Sequence, residues 1–200
     1  IFIASTGMGK TELALLWNGD EKLFYTLPLR TSVNAMFGRM LSVFGDDGRI
    51  GLLHSTASAY LLKEIDESDK QAGEMVGLID RAKQLSLPLS VSTADQLFTS
   101  TFKYPGYEKV YATLSYSNIV IDELQAYNPE IAAAILWGLK EVTELGSKFC
   151  LMTATLPGFY LDFVKENLRD FVIERRFLPV SKHRIELLND NIIGYCDSIV

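Results

Sequence analysis

The sequence predicts an α/β fold, a mostly parallel central sheet with helices on both faces. Short apolar runs alternate with segments of helical period along most of the chain. The run before Asp122 is apolar on both sides, as a strand covered by helices above and below must be. Residues able to do chemistry fall just past the ends of these runs, where open parallel sheets gather their ligands.

The elements follow in order. Residues 1–3 form a first strand, and the loop Ala4-Ser5-Thr6-Gly7-Met8-Gly9-Lys10-Thr11 leads from it into a helical pattern over 12–17. Asn18, Gly19 and Asp20 stop that helix, and 22–27 reads as a buried strand ending at Pro28. Arg30, Thr31 and Ser32 open a second helix, whose Val33, Met36, Phe37 and Met40 share one side and whose stop lies at 45–48. A third strand covers 50–54, a helical segment 55–63, a polar loop or frayed helix 64–71, and a further helix 74–85. A fourth strand, 89–93, runs into a helix opened by Ala94 and Asp95 and broken at 104–107. Residues 117–121 form a buried strand, and Asn128 with Pro129 makes a cap and first turn for a helix that ends at Gly146. Strand 148–152 passes into Thr153-Ala154-Thr155-Leu156-Pro157, and 171–176 reads as a last strand, with one more over 180–188. One domain is expected over 1–188, and 189–200 is a linker or the start of a second unit.

Composition limits the function classes. A chain of 200 residues, 48% hydrophobic and 22% charged, suits a globular domain with a substantial core. No apolar run approaches the roughly 20 residues that span a bilayer, so no membrane is expected and the cytoplasm is the expected compartment. The net charge of −6 argues against a broad basic surface that grips nucleic acid by charge alone. Cys150 and Cys196 lack metal-ligand spacing and read as reduced, structural thiols. The chain opens only three residues before its glycine loop, which reads as an N-terminal truncation.

That loop carries the strongest signal. Gly7 and Gly9 let the backbone take positive φ and lie against a polyanion, while the helix start beyond offers unpaired N–H groups and the positive end of a dipole. The pattern is that of a phosphate-binding loop, with Ala4 in place of its first glycine. Thr6, Gly7, Met8, Gly9, Lys10, Thr11 and Glu12 are therefore the candidate ATP contacts, Lys10 for the β- and γ-phosphates and Thr11 as a magnesium ligand. Asp122 and Glu123, at the end of a buried strand, supply the partner such a loop needs: Asp122 for magnesium, Glu123 to orient and deprotonate an attacking water. Lys10, Asp122 and Glu123 are the candidate catalytic residues. A carboxylate aimed at water suits hydrolysis better than phosphoryl transfer to a substrate hydroxyl, which disfavours a small-molecule kinase.

Two strand-to-helix turns, 28–31 and 92–96, expose backbone N–H groups beside the hydroxyls of Thr31 and Thr93 and the charge of Arg30. Read from the residues alone, the hydroxyls serve equally well as helix caps. His54, ending a strand, reads as a satisfied buried group and His183 as solvated.

In order and spacing, 5–12, Asp122-Glu123-Leu124-Gln125 and 153–157 resemble motifs I, II and III of superfamily 2 helicases. Within that superfamily, Leu27-Pro28-Leu29-Arg30-Thr31, Leu53-His54-Ser55, Ser92-Thr93-Ala94-Asp95-Gln96-Leu97 and the stretch 122–129 look most like the CRISPR-associated helicase-nuclease of type I interference systems. The resemblance implies the first RecA-like lobe of an ATP-dependent helicase or translocase, with a second RecA-like lobe and a nuclease domain elsewhere and a CRISPR effector complex as partner. It implies that Pro28, Arg30, Thr31, Ser92, Thr93 and Gln96 touch single-stranded DNA. Gln125, Thr153 and Thr155 would then couple the nucleotide to motif III. Gln125 stands where the family usually has His and Thr153 where it usually has Ser. A lobe without its partner lobe lacks an arginine finger and is expected to turn over negligibly alone, and no His-Asp cluster for a nuclease is present. Another superfamily 2 translocase, on DNA or RNA, and a nucleotide-binding regulatory module remain open alternatives.

Overall fold

The computed structural model describes residues 1–5, 7–45, 47–62 and 69–177, with side chains omitted for 69–72. Thr6, the expected strand 180–188, His183, Cys196 and the segment 189–200 lie outside the described residues.

Among the described residues seven strands form one sheet: β1 (Phe2–Ala4), β2 (Leu23–Leu27), β3 (Ile50–Leu53), β4 (Leu89–Thr93), β5 (Asn118–Asp122), β6 (Lys148–Thr153) and β7 (Glu174–Arg176). Their order is β3-β4-β2-β5-β6-β1-β7, and every pairing is parallel. β2 and β5, in the middle, are buried at every residue, so both faces must be apolar. Phe24, Ile119, Ile121 and Leu151 face one core, and Leu23, Tyr25, Val120 and Met152 face the other.

The helices divide accordingly. α1 (Lys10–Asn18), α2 (Arg30–Phe44) and α3 (Ala57–Leu62) cover the Tyr25 face through Ala14, Val33, Phe37, Met40, Ala57 and Leu61. α5 (Asp95–Phe98), α6 (Tyr107–Leu114), α7 (Pro129–Glu144) and α8 (Gly158–Asn167) cover the other. α4 (Asp69–Lys83), beside β3, gives Leu78 and Ala82 to one core and Ile79 to its opposite. The Asn128 carboxamide accepts the Glu130 N–H at 2.9 Å and Pro129 takes the first turn of α7, as expected.

The departures from expectation lie in short or atypical elements. α6 and α8 go unannounced in the sequence, α4 begins earlier than 74, and the helix after β4 gives way after four residues to a 3-10 turn over Thr99–Phe102. The last strand is the exposed triplet 174–176 rather than 171–176, because only β1 borders it. Among the described residues no helix is long and apolar enough to cross a membrane.

Candidate active site

The loop after β1 relies on backbone. Gly7 and Gly9 take φ of 82° and 74°, a region open to glycine at little cost, and Gly9 caps α1 in that left-handed conformation with no side-chain bond to the helix start. Lys10 opens α1 with its side chain 11% exposed. Its Nζ donates to the Ala4 carbonyl at 3.2 Å and stands 3.6 Å from Glu123 Oε1. Thr11 Oγ1 lies 3.4 Å from an Arg39 guanidinium nitrogen, and Arg39 also ion-pairs with the exposed Glu12. Met8 is half-buried beside the Tyr25-face core.

The end of β5 relies on side chains. β6 lies between β5 and β1, so the strand ends carry Asp122 and Glu123 toward the glycine loop. Asp122 is 8% exposed. Its Oδ2 accepts the Tyr25 hydroxyl at 2.8 Å, while Oδ1 is buried with no partner among the described residues. Burial raises the Asp122 carboxyl above its ordinary range, against the opposing pull of the Tyr25 hydrogen bond and the nearby Lys10 charge. Burial and then Asp122 raise the Tyr25 phenol in turn, so it stays a neutral donor.

Glu123 leaves the sheet at φ 53°, a left-handed conformation that a glutamate rarely adopts, with its N–H held by the Met152 carbonyl at 2.8 Å. The turn sends its carboxylate away from Asp122 toward Lys10 and Gln125. Gln125 Nε2 donates to Glu123 Oε2, and Gln125 Oε1 is hydrogen-bonded to the Thr153 hydroxyl. Thr153 Oγ1 stands 3.4 Å from Glu123 Oε2 and 2.6 Å from the Thr155 carbonyl, and it accepts the Thr155 N–H at 3.0 Å. Lys10, Glu123, Gln125, Thr153 and Thr155 thus form one connected cluster, with the bonded pair Asp122 and Tyr25 beside it.

The turns after β2 and β4 occupy the other half of the same sheet edge. Arg30 and Thr31 are exposed in the first turn of α2, and Arg30 donates to Ser55 Oγ at 3.3 Å. Pro28 and Gln96 are half-buried, and Gln96 donates to Asp95 at 2.6 Å. No side chain caps α2 or α5, so the hydroxyls of Thr31 and Thr93 do not serve as helix caps. Ser92 corrects the sequence expectation. It is 0% exposed, paired with Thr26 in the middle of the sheet, and its unpartnered hydroxyl is buried, so it cannot reach a phosphate. Thr93, 6% exposed, has little side chain to offer. His54 is satisfied, with Asn34 Oδ1 2.8 Å from Nε2 and Thr56 against Nδ1, and burial lowers its pKa.

Sequence reasoning missed Tyr25 and Arg39. The alternation Leu23, Tyr25, Leu27 toward the α1 face was the available sign that a phenol lies under the glycine loop. Arg39 is an exposed helix residue with no motif around it.

No protein-family model matches the chain. The chain is 34% identical over 168 residues to the CRISPR-associated nuclease/helicase Cas3 of Methanothermobacter thermautotrophicus, covering 82% of this chain and 20% of that protein. It is 24% identical over 172 residues to a putative CRISPR-associated nuclease/helicase Cas3 of Methanocaldococcus jannaschii, covering 81% of this chain and 23% of that protein. The chain therefore spans about a fifth of the length of the curated relatives it matches. The crystal structure of T. fusca Cas3 superposes with a TM-score of 0.66 at 22% identity, over 83% of this chain and 20% of that one, and its Cas3-ATP counterpart with 0.63. In sequence over most of its length, and in fold, the chain resembles a RecA-like lobe of a superfamily 2 helicase, that of the Cas3 nuclease/helicases.

Proposed function

We propose that the chain is the first RecA-like motor lobe, residues 1–188, of an ATP-dependent helicase or translocase that acts on single-stranded DNA in CRISPR interference. Likeness to the Cas3 nuclease/helicases supports the setting. One observation carries the chemistry: the ammonium of the glycine loop and the acid that ends β5 stand 3.6 Å apart, although they come from strands separated by β6.

In this reading the backbone from Thr6 to Thr11 cradles the phosphates of ATP, and Glu12, turned toward Arg39, frames the loop from outside. Lys10 exchanges its contact with Glu123 for the β- and γ-phosphates. The residues fit magnesium: Thr11 offers a hydroxyl, and Asp122 has a buried Oδ1 that nothing else satisfies. When bound, the ion neutralises charge on the phosphate oxygens. Glu123 accepts the proton of a water whose oxygen bonds to the γ-phosphorus as the bond to the β-bridging oxygen breaks. Gln125 and Thr153 hold Glu123 by the oxygen that Lys10 does not use, so a shift of the 153–155 segment is felt at the general base.

Arg30 and Thr31, with the backbone of 28–31 and 93–96, bind strand phosphates, joined by Pro28, Thr93 and Gln96. An arginine from a second lobe completes the site, so this lobe alone turns over negligibly. The cytoplasm and a CRISPR effector complex are its proposed setting. Hydrolysis by the full-length protein, measured with and without single-stranded DNA, tests the reading. Lys10→Ala and Glu123→Gln are expected to abolish DNA-stimulated turnover, and retention of turnover by both would sink it.

A further inference from the structure

We infer that Tyr25 is a positioning residue for the metal ligand Asp122: its hydroxyl fixes one carboxylate oxygen so that the other is presented to a nucleotide-bound divalent cation. The inference rests on the nucleotide-site reading above. It concerns a residue on a different strand, 97 positions from its partner, outside every stretch on which the helicase resemblance was drawn.

The geometry is specific. Tyr25 is paired with Val120 across β2 and β5, so both side chains face the α1 side, and Asp122 lies two residues further along the same face. The phenol spans that distance and donates to Oδ2 at 2.8 Å. It is 0% exposed, so no water competes for the bond. A carboxylate with two free oxygens can rotate, and its ligating lone pairs then point in no fixed direction. With one oxygen pinned by the phenol, the carboxylate has one direction left for Oδ1, the buried atom that lacks a partner among the described residues. Partners that orient metal ligands in this way typically contribute about 10- to 100-fold to metal affinity or activity.

The test is fluorescent ATP-analogue binding to the full-length protein, titrated in magnesium and again in EDTA, for wild type, Tyr25→Phe, Asp122→Asn and the double variant. Tyr25→Phe is expected to match wild type in EDTA and to lose about 10- to 100-fold of the affinity that magnesium adds. The double variant is expected to bind no more weakly than Asp122→Asn, because the phenol acts through that carboxylate. An undiminished magnesium gain in Tyr25→Phe would overturn the proposal. So would an equal loss in EDTA, which marks a merely structural tyrosine, or additive losses in the double variant. A wild-type protein whose affinity ignores magnesium would overturn the nucleotide-site reading itself, a result distinct from these.

Discussion

The two halves of the sheet edge differ in how their polar groups are engaged. Around β1, β5 and β6 the polar side chains engage one another: Lys10 with Glu123, Glu123 with Gln125, Gln125 with Thr153, Asp122 with Tyr25. Around β2, β3 and β4 the contacts are exposed and few: Arg30 donates to Ser55, Gln96 to its neighbour Asp95, and Thr31 stands in solvent. The first half is organised ahead of its task, as electrostatic catalysis requires. In the proposed reading, the exposed donors of the second suit a strand that must be gripped and released. Substitutions in the first half should therefore act on chemistry and nucleotide affinity, and those in the second on salt-dependent strand affinity.

The largest expected effect is at Glu123. Glu123→Gln removes the proton acceptor and should lower hydrolysis by about 10²- to 10⁴-fold with nucleotide binding retained, as read by single-turnover kinetics beside a binding titration. Next is Lys10→Ala, which removes a charged donor worth about 1.5–3 kcal/mol and should weaken ATP binding by roughly 10- to 150-fold in calorimetry. Equal ATP affinity in that variant would break the comparison at its base. Thr153→Val leaves Gln125 Oε1 and the Thr155 N–H without their partner, a cost of about 1–3 kcal/mol. It should cut DNA-stimulated turnover while leaving ATP affinity in place. The smallest effect belongs to Arg30→Ala: about 1 kcal/mol, roughly fivefold in single-strand affinity, with the log-log salt slope shallower by about 0.7 because the variant neutralises one phosphate fewer. If Arg30→Ala instead slows hydrolysis with strand binding unchanged, the two halves do not divide the work in this way.

Much of this arrangement is legible in the sequence because it depends on local signals. Apolar runs announce the strands, and the glycines of the loop announce positive φ, since no other residue takes it at so little cost. α6 and α8 escape for equally local reasons. α6 has only eight residues, and α8 begins Pro157-Gly158 with Phe159 mostly exposed, a start that reads as a turn. What the sequence withholds is cross-strand. Tyr25 looks like any core aromatic until β5 lies beside it, and Ser92 looks available until the sheet closes over its hydroxyl. The left-handed turn at Glu123, which parts two adjacent acids into separate contacts, has no sequence signature at all.

The strand order carries a consequence for the order of assembly. β1 has as its neighbours β6 and β7: Phe2 stands opposite Met152 and Glu174. Of the seven strands, the earliest in the chain must therefore wait for the two latest, and closing a loop of that length is an entropic toll levied before any pairing repays it. The β2–β4–β5 centre can form without it, so the glycine loop gains its anchor late. Pulse-labelled hydrogen exchange during refolding is expected to protect Ile3 and Ala4 after Phe24 and Val120, and the reverse sequence would contradict it. In the proposed nucleotide-site reading, a newly made chain would then acquire its phosphate cradle only when the fold is already closed.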